Sequence, residues 1–449
     1  MKRLFDDNMY RFDEPQPSYW EATAEPAPFD TFSLQGHESC DVAIIGGGYT
    51  GLSAALHLAR DYDVDVRVLE AGHFGWGASG RNGGFCCPGG TGVHRQDLVR
   101  MVGLDNARDY YASQVNAVDL VRQLAVDESI DYQPQGDAEV EVAHTPRAYK
   151  RLQKDFDLLT NGLGMDAELY SADECRERFY DSAEQYGALV TRPTFGLHPL
   201  RYCIGLATAA DRHGAILHEH SEVIDWSKDD AGRHRLLTTG GSLRANRVIF
   251  ASNGFMQERL HEGFFGRSIP VISAIVVTRP LSEDEKAAHH WQTENPAANS
   301  RRILNYFRLL PDNRFLFGGR GDISGSAEKE QRTYKQLTRT LGEIWPHWRN
   351  VEIEYRWQGL ICMTASLRPT LGRLEEDHSV MFGFGYHGNG VNTATWTGKQ
   401  LADWIGTGSE PRGLPAIVRG LSRKYPLPGL RKGYLGLGIG LSRQLDRFG

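Results

Sequence analysis

Gly46, Gly48 and Gly51 close the apolar run DVAIIGGGYTG at residues 41–51, and their spacing suits a pyrophosphate. Gly46 permits a tight strand-to-helix turn, Gly48 admits phosphate oxygens to the backbone, and Gly51 lets the helix pack on its strand. The helix beginning near Thr50 would then turn its N–H groups toward the anion. Glu70 ends the next alternating run, residues 64–69. A carboxylate there accepts hydrogen bonds from both hydroxyls of an adenosine ribose and repels a 2′-phosphate, so NADP is disfavoured. Ala71 and Val223 join the expected cofactor contacts.

A second cluster, GWGASGRNGG at residues 75–84, follows where a nicotinamide dehydrogenase would continue into plain helix. Ser79, Arg81 and Asn82 supply side-chain donors, while Gly80, Gly83 and Gly84 bring backbone N–H groups close to a large flat ligand. FAD is favoured over NAD on that ground. In the third cluster, GFGYHGNGVN at residues 383–392, a strand again feeds a glycine-rich turn and a helix. The positive end of that helix, with Gly388, Asn389, Gly390, Val391 and Asn392 around it, suits the anionic N1–C2=O edge of a reduced flavin.

These clusters need strands and helices to hold them. Leu52, Ala55, Leu56 and Ala59 have helical spacing after the first turn. Strand-like runs follow at 138–143, 215–222, 247–251, 269–278, 314–318 and 380–385. A dinucleotide domain whose closing strand comes only near residue 380 must be discontinuous. The expected fold is therefore α/β (α+β overall), a Rossmann-like FAD-binding domain with an inserted β-rich substrate-binding domain. Its expected parts are an N-terminal arm (1–38), an FAD domain (39–100, 190–256 and 357–425), a substrate domain (101–189 and 257–356) and a C-terminal tail (426–449).

The length of 449 residues, with 40% apolar content, predicts a soluble chain of two or three domain-sized units. A net charge of −7 argues against nucleic acid as a partner. The six cysteines show no paired metal-ligand spacing, so no metal is expected and a reduced, cytoplasmic setting is favoured. No run is apolar enough to span a membrane, and the start lacks a secretory signal. The tail segment 433–441 is apolar but glycine-rich, costly as a helix and too short to cross a bilayer. Surface packing or a subunit contact is expected of it, with peripheral membrane contact as the alternative.

Taken with His198-Pro199, the strand end ASNG at 251–254 and Trp357-Gln-Gly359, the three clusters resemble the D-amino-acid oxidase, glycine oxidase and sarcosine oxidase superfamily of FAD enzymes across essentially the whole chain. Within that superfamily Ser18-Tyr-Trp20, residues 306–319, Tyr355-Arg-Trp-Gln-Gly359 and Tyr425-Pro-Leu-Pro-Gly429 are similar to the gamma-glutamylputrescine oxidoreductases. The resemblance implies hydride transfer from an amine-bearing carbon to flavin N5, giving an imine that hydrolyses to an aldehyde. It implies a small amine with an anionic end, and either O2 or another electron acceptor.

Two departures bear on the substrate. Sarcosine oxidases carry Ser, His and Lys where His387, Asn389 and Asn392 stand, and they place a Lys over the flavin, whereas no Lys occurs between Arg301 and Glu328. His387 and Arg81 are the catalytic candidates. Arg308, Arg320, Tyr306, Trp357 and Asn389 are the substrate-binding candidates, the arginines because a guanidinium grips a carboxylate or phosphonate bidentately. Cys362 lies close to where sarcosine oxidases bear a thioether to flavin, yet non-covalent FAD is favoured. Secondary or N-methylated amines, aminophosphonates, and sarcosine-like or pipecolate-like amino acids remain alternatives. So do a flavin-binding electron-transfer or regulatory module, an NAD-linked dehydrogenase and a homo-oligomer.

Overall fold

The computed structural model describes residues 3–447, with side chains through residue 440. Its first sheet runs, edge to edge, Thr370–Arg373, Val380–Phe384, Gly241–Phe250, Gly36–Ile45, Val66–Leu69 and Ile216–His218. All neighbours along this path are parallel except the first pair. Parallel sheets need both faces covered, and residues 42–44 at the centre are accordingly buried without interruption. Helices Tyr49–Tyr62, Pro199–Arg212 and Val391–Thr407 cover one face, packing on Val42 and Ile44, while Trp226, Leu236, Leu260 and Phe264 cover the other, against Ala43 and Ile45. Gly398 lets two of them meet closely, since a Cβ there would fall 2.4 Å from the Thr50 carbonyl.

The second sheet has eight strands in the order Ile353–Thr364, Ser268–Pro280, Arg314–Arg320, Tyr306–Leu309, Ala297–Asn299, Glu139–Val142, Ala188–Arg192 and Asp166–Tyr170. It is antiparallel apart from the pairing of Ala297–Asn299 with Glu139–Val142. The fold is thus α/β with a β-rich insertion. The boundaries expected at 189/190 and 356/357 both cut strands of this sheet, because backbone pairing runs on to Arg192 and to Thr364. Helix Leu104–Asp127 also departs from its expected place. Its buried Tyr110, Ala117 and Val121 share a core with Leu52 and Leu56 of the first unit.

The strand expected over 215–222 is trimmed to Ile216–His218, after which Glu219 and Ser221 turn their side chains to loop backbone. The N-terminal arm does lie on the body, and Phe5, Met9, Tyr19 and Trp20 are buried by it. The tail differs from expectation, for Arg431–Arg447 is a helix despite its glycines. Tertiary anchorage outweighs propensity there. Buried Arg431 pairs with Glu258 at 2.8 Å and donates to the Ser268 carbonyl at 2.7 Å, and the Tyr434 hydroxyl donates to the Pro426 carbonyl. Among the described residues no helix is long and apolar enough to cross a membrane.

Candidate active site

A cavity of about 1040 Å³ lies between the two sheets and is walled by parts of all three glycine clusters. At its first-sheet end stand Gly46, Gly48, Thr50, Glu70, Ala71, Ser79 and Val223. Gly46 has φ +112°, and a Cβ on it would sit 3.0 Å from the Ala251 carbonyl, so the turn needs glycine. At Gly48 a Cβ would come 2.7 Å from the Ser79 hydroxyl, which accepts the Tyr49 N–H at 3.0 Å. Glu70 accepts the N–H groups of Gly47 at 2.6 Å and Gly72 at 3.0 Å, although burial raises its pKa. The carboxylate thus braces the turn and still faces the cavity with lone pairs to spare.

Four expected cofactor contacts are not in the wall. Gly51, Gly80 and Gly84 are packing glycines, whose added Cβ atoms would meet the carbonyls of Gly46, Gly75 and Leu197 at 2.0, 2.2 and 2.1 Å. Asn392 is fully buried and turns its amide toward Gln114. Its helix carries it away from the turn, one residue after Val391 has faced the cavity.

Arg81 lies in the wall with its guanidinium 3.8 Å from the Trp76 ring centroid. Nη1 donates to the Gln358 carbonyl at 3.2 Å, but buried Nε and Nη2 have no partner. Burial pushes its pKa down to about 9, so a cation short of two hydrogen bonds faces the cavity. His387 adopts φ +53° and donates its backbone N–H to the Cys362 carbonyl. Burial lowers the imidazole to about 4, which keeps it neutral, and Nδ1 is buried without a partner. Asn389 is clasped to Cys87, donating to its carbonyl at 2.8 Å and accepting from Sγ at 3.2 Å.

The second sheet contributes Tyr306, whose hydroxyl is 3.0 Å from the Ser273 hydroxyl, and Arg320. Arg308 and Trp357, expected to touch substrate, do not line the cavity. Arg308 is 1% exposed and donates to the Gly83 carbonyl at 3.1 Å, to Gln135 Oε1 at 3.2 Å and to the Leu197 carbonyl at 2.5 Å. Trp357 Nε1 donates to the Arg81 carbonyl at 2.8 Å, and Trp20 Nε1 to that of Asn82 at 2.9 Å. Three buried side chains thus hold three consecutive carbonyls of the second cluster. They position the second glycine loop and do not reach the cavity themselves.

Cys362 is in the wall, but burial pushes its thiol up to about 12 and keeps it protonated. Among the described residues no group of His, Cys, Asp and Glu is arranged to hold a metal. Sequence reasoning missed a polar end formed by Arg95, Tyr111, Glu139, Glu141 and Arg151, and a wall from the tail helix at Tyr434 and Ile439. The run Glu139-Val-Glu141-Val carried a signal. Its alternation puts both acids on one face and the buried valines on the other.

FAD fits this site on structural grounds. The glycine cradle, the Glu70 carboxylate and the guanidinium of Arg81, short of two partners, meet at one cavity. The profile of the DAO family, "FAD dependent oxidoreductase", matches residues 41–404. Gamma-glutamylputrescine oxidoreductase of Escherichia coli is 31% identical over 97% of this chain and 99% of its own. Glycine oxidase of Bacillus subtilis is 24% identical over 81% of the chain and 92% of its own. The glycine oxidase structure from Geobacillus kaustophilus superposes with a TM-score of 0.70, covering 87% of the chain and 100% of that structure at 23% identity. The chain belongs to the DAO family of FAD-dependent oxidoreductases, similar over nearly its whole length to gamma-glutamylputrescine oxidoreductase.

Proposed function

We propose that the protein oxidises a small amine bearing an anionic end, of which gamma-glutamylputrescine is the leading example, to an imine that water hydrolyses to an aldehyde and ammonia. One observation carries this reading: the cavity that begins at the pyrophosphate cradle continues, past Arg81, His387 and Asn389, into a chamber walled by Tyr306 and several arginines. FAD, when bound, would supply the two-electron acceptor for hydride from the amine-bearing carbon. Arg81 offers its two unpartnered donors to an electron-rich edge, and neutral His387 offers a hydrogen bond without placing a second cation beside the amine. Arg320 and Arg302 face the chamber and suit a carboxylate. Tyr306, Ile272 and Ile361 shield the reacting carbon from water.

The flavin is non-covalent in this reading, since Cys362 is held as a thiol and the thiolate is the nucleophile. Anaerobic mixing of the flavin-loaded enzyme with gamma-glutamylputrescine, ω-amines and N-methyl amino acids tests the proposal. Bleaching by the first group supports it, and indifference to every amine overturns it. A yellow pellet after acid precipitation would overturn the non-covalent assignment alone.

A further inference from the structure

Glu139 sits on the strand Glu139–Val142, at the end of the cavity that the glycine clusters do not build. Its carboxyl meets the Cys87 thiol, and Cys87 in turn is clasped to Asn389 through contacts of 2.8 and 3.2 Å. The acid therefore reaches the third glycine turn through a single residue. The nearby base is already engaged, because Arg95 pairs with Glu141 at 2.8 Å and with Asp155 at 3.4 Å. Two carboxylates thus hold one guanidinium, and Glu139 is a third acid with a thiol for a neighbour. Among the described residues Glu139 takes part in no ion pair. A half-buried carboxylate at a cavity wall, whose nearest guanidinium is shared by two other acids, is costly unless a ligand brings a further cation.

Resting on the amine reading above, we infer that Glu139 binds the substrate's ammonium group and takes its proton. In this step the N–H bond of the ammonium breaks and an O–H bond forms on Glu139, leaving a neutral amine and a neutral carboxyl. The lone pair so released on nitrogen is what hydride loss from the adjacent carbon requires. The transfer also removes two charges from a poorly solvated chamber, so the low polarity that lowers an ammonium's pKa and raises a carboxyl's favours it in the same direction. Burial, chiefly, and then Glu141 push the Glu139 carboxyl up to about 7, with Arg95 opposing.

Other charged and titratable groups also face this end. Burial raises the Cys87 thiol well above its ordinary value and raises the Tyr111 hydroxyl. Burial also lowers His94 and raises Asp155, while Glu141 is lowered against burial by Arg95. Arg95 is raised by the same carboxylates, and Arg151 donates to the Ser300 carbonyl at 2.5 Å. Among these groups Glu139 is the carboxyl carried to about 7.

The test uses the flavin-loaded enzyme and the α,α-dimethyl analogue of whichever amine bleaches it, a compound with no hydride to lose. Flavin absorbance reports binding. The wild-type affinity should fall about ten-fold per pH unit below about pH 7 and level off above it, because only ionised Glu139 attracts the cation. Glu139→Gln should bind the analogue at least about ten-fold more weakly at alkaline pH and lose the pH dependence, with Glu139→Asp between the two. Equal affinity and an unchanged profile in Glu139→Gln overturn the inference. Should that variant fail to hold flavin, a wild-type affinity flat through neutrality overturns it independently. If no amine bleaches the wild type, the amine reading fails first and takes this inference with it, a result distinct from either of the others.

Discussion

The cradle at the first-sheet end and the chamber at the second-sheet end are built by different means. The cradle is chiefly a backbone site: Gly46, Gly48 and the N-terminus of helix Tyr49–Tyr62 come from one short stretch, braced by the side chains of Glu70, just past the next strand, and Ser79. The chamber is a side-chain site. Arg81, Glu139, Tyr306, Arg320 and His387 reach it from five separate stretches of chain, and Arg81, Glu139, Tyr306 and His387 each meet a side chain or carbonyl distant in sequence. A backbone site tolerates almost no change of residue at its glycines but makes few demands elsewhere. A side-chain site spreads its demands over the molecule, so single changes there should alter chemistry before they alter folding.

The most severe break in this comparison is at the cradle. Gly51→Val would drive a branched Cβ into the Gly46 carbonyl, 2.0 Å away, where only backbone can yield. The expected outcome is protein without flavin, destabilised by about 3 kcal/mol or more, read by absorbance after purification and by thermal unfolding. Bound flavin at wild-type stoichiometry would show that the turn can be rebuilt, and would remove the contrast with the chamber.

Two arginines sharpen the contrast from the other side. Arg308→Met strips hydrogen bonds from the Gly83 and Leu197 carbonyls and from Gln135, leaving polar groups buried. A loss of about 3 kcal/mol in stability and weaker flavin retention are expected. Arg320→Met should leave the flavin in place and raise KM for an anionic amine by about ten- to a hundred-fold, with kcat less affected. If the effects were reversed, with Arg308→Met changing KM and Arg320→Met losing flavin, their assignments as loop clamp and substrate contact would be exchanged.

These two arginines also mark how far the sequence could be read. Arg308 lies in the strand Tyr306–Leu309 and Arg320 ends its neighbour Arg314–Arg320, and nothing in residue type or spacing separates them. Alternation along Tyr306–Leu309 puts Tyr306 and Arg308 on one face, yet Tyr306 meets the cavity while Arg308 is stopped by Trp20 and the second glycine loop. That difference is set by what packs on the sheet, which local pattern does not contain. The cradle was legible because its determinants are contiguous. Glu139 was half legible, since the strand and the shared face with Glu141 could be read, but its nearness to Cys87 and Asn389 depends on the register of the second sheet against the first. The tail helix was misread for a related reason, because its glycines speak against a helix locally while Arg431 is fixed by Glu258 across the chain.

The smallest effect concerns His387, the point where the third backbone turn becomes part of the side-chain chamber. Burial lowers its pKa from the ordinary 6.5 to about 4, so the unfolded chain binds a proton more readily than the folded one. The stability carried by the neutral imidazole is therefore complete above about pH 6.5 and is lost progressively as pH falls toward 4. The loss should come to about 2 kcal/mol, because the ring retains some access to the cavity. His387→Asn keeps a polar side chain at a positive φ that asparagine tolerates, and it should flatten the acid limb of a thermal-stability profile between about pH 4 and 6.5 while leaving the neutral plateau within about 1 kcal/mol. An unchanged acid limb would place the acid sensitivity on other buried histidines such as His198 and His234, both also depressed by burial. The third turn would then act in the chamber through its backbone and Asn389 alone, which would make it resemble the cradle more than the chamber it borders.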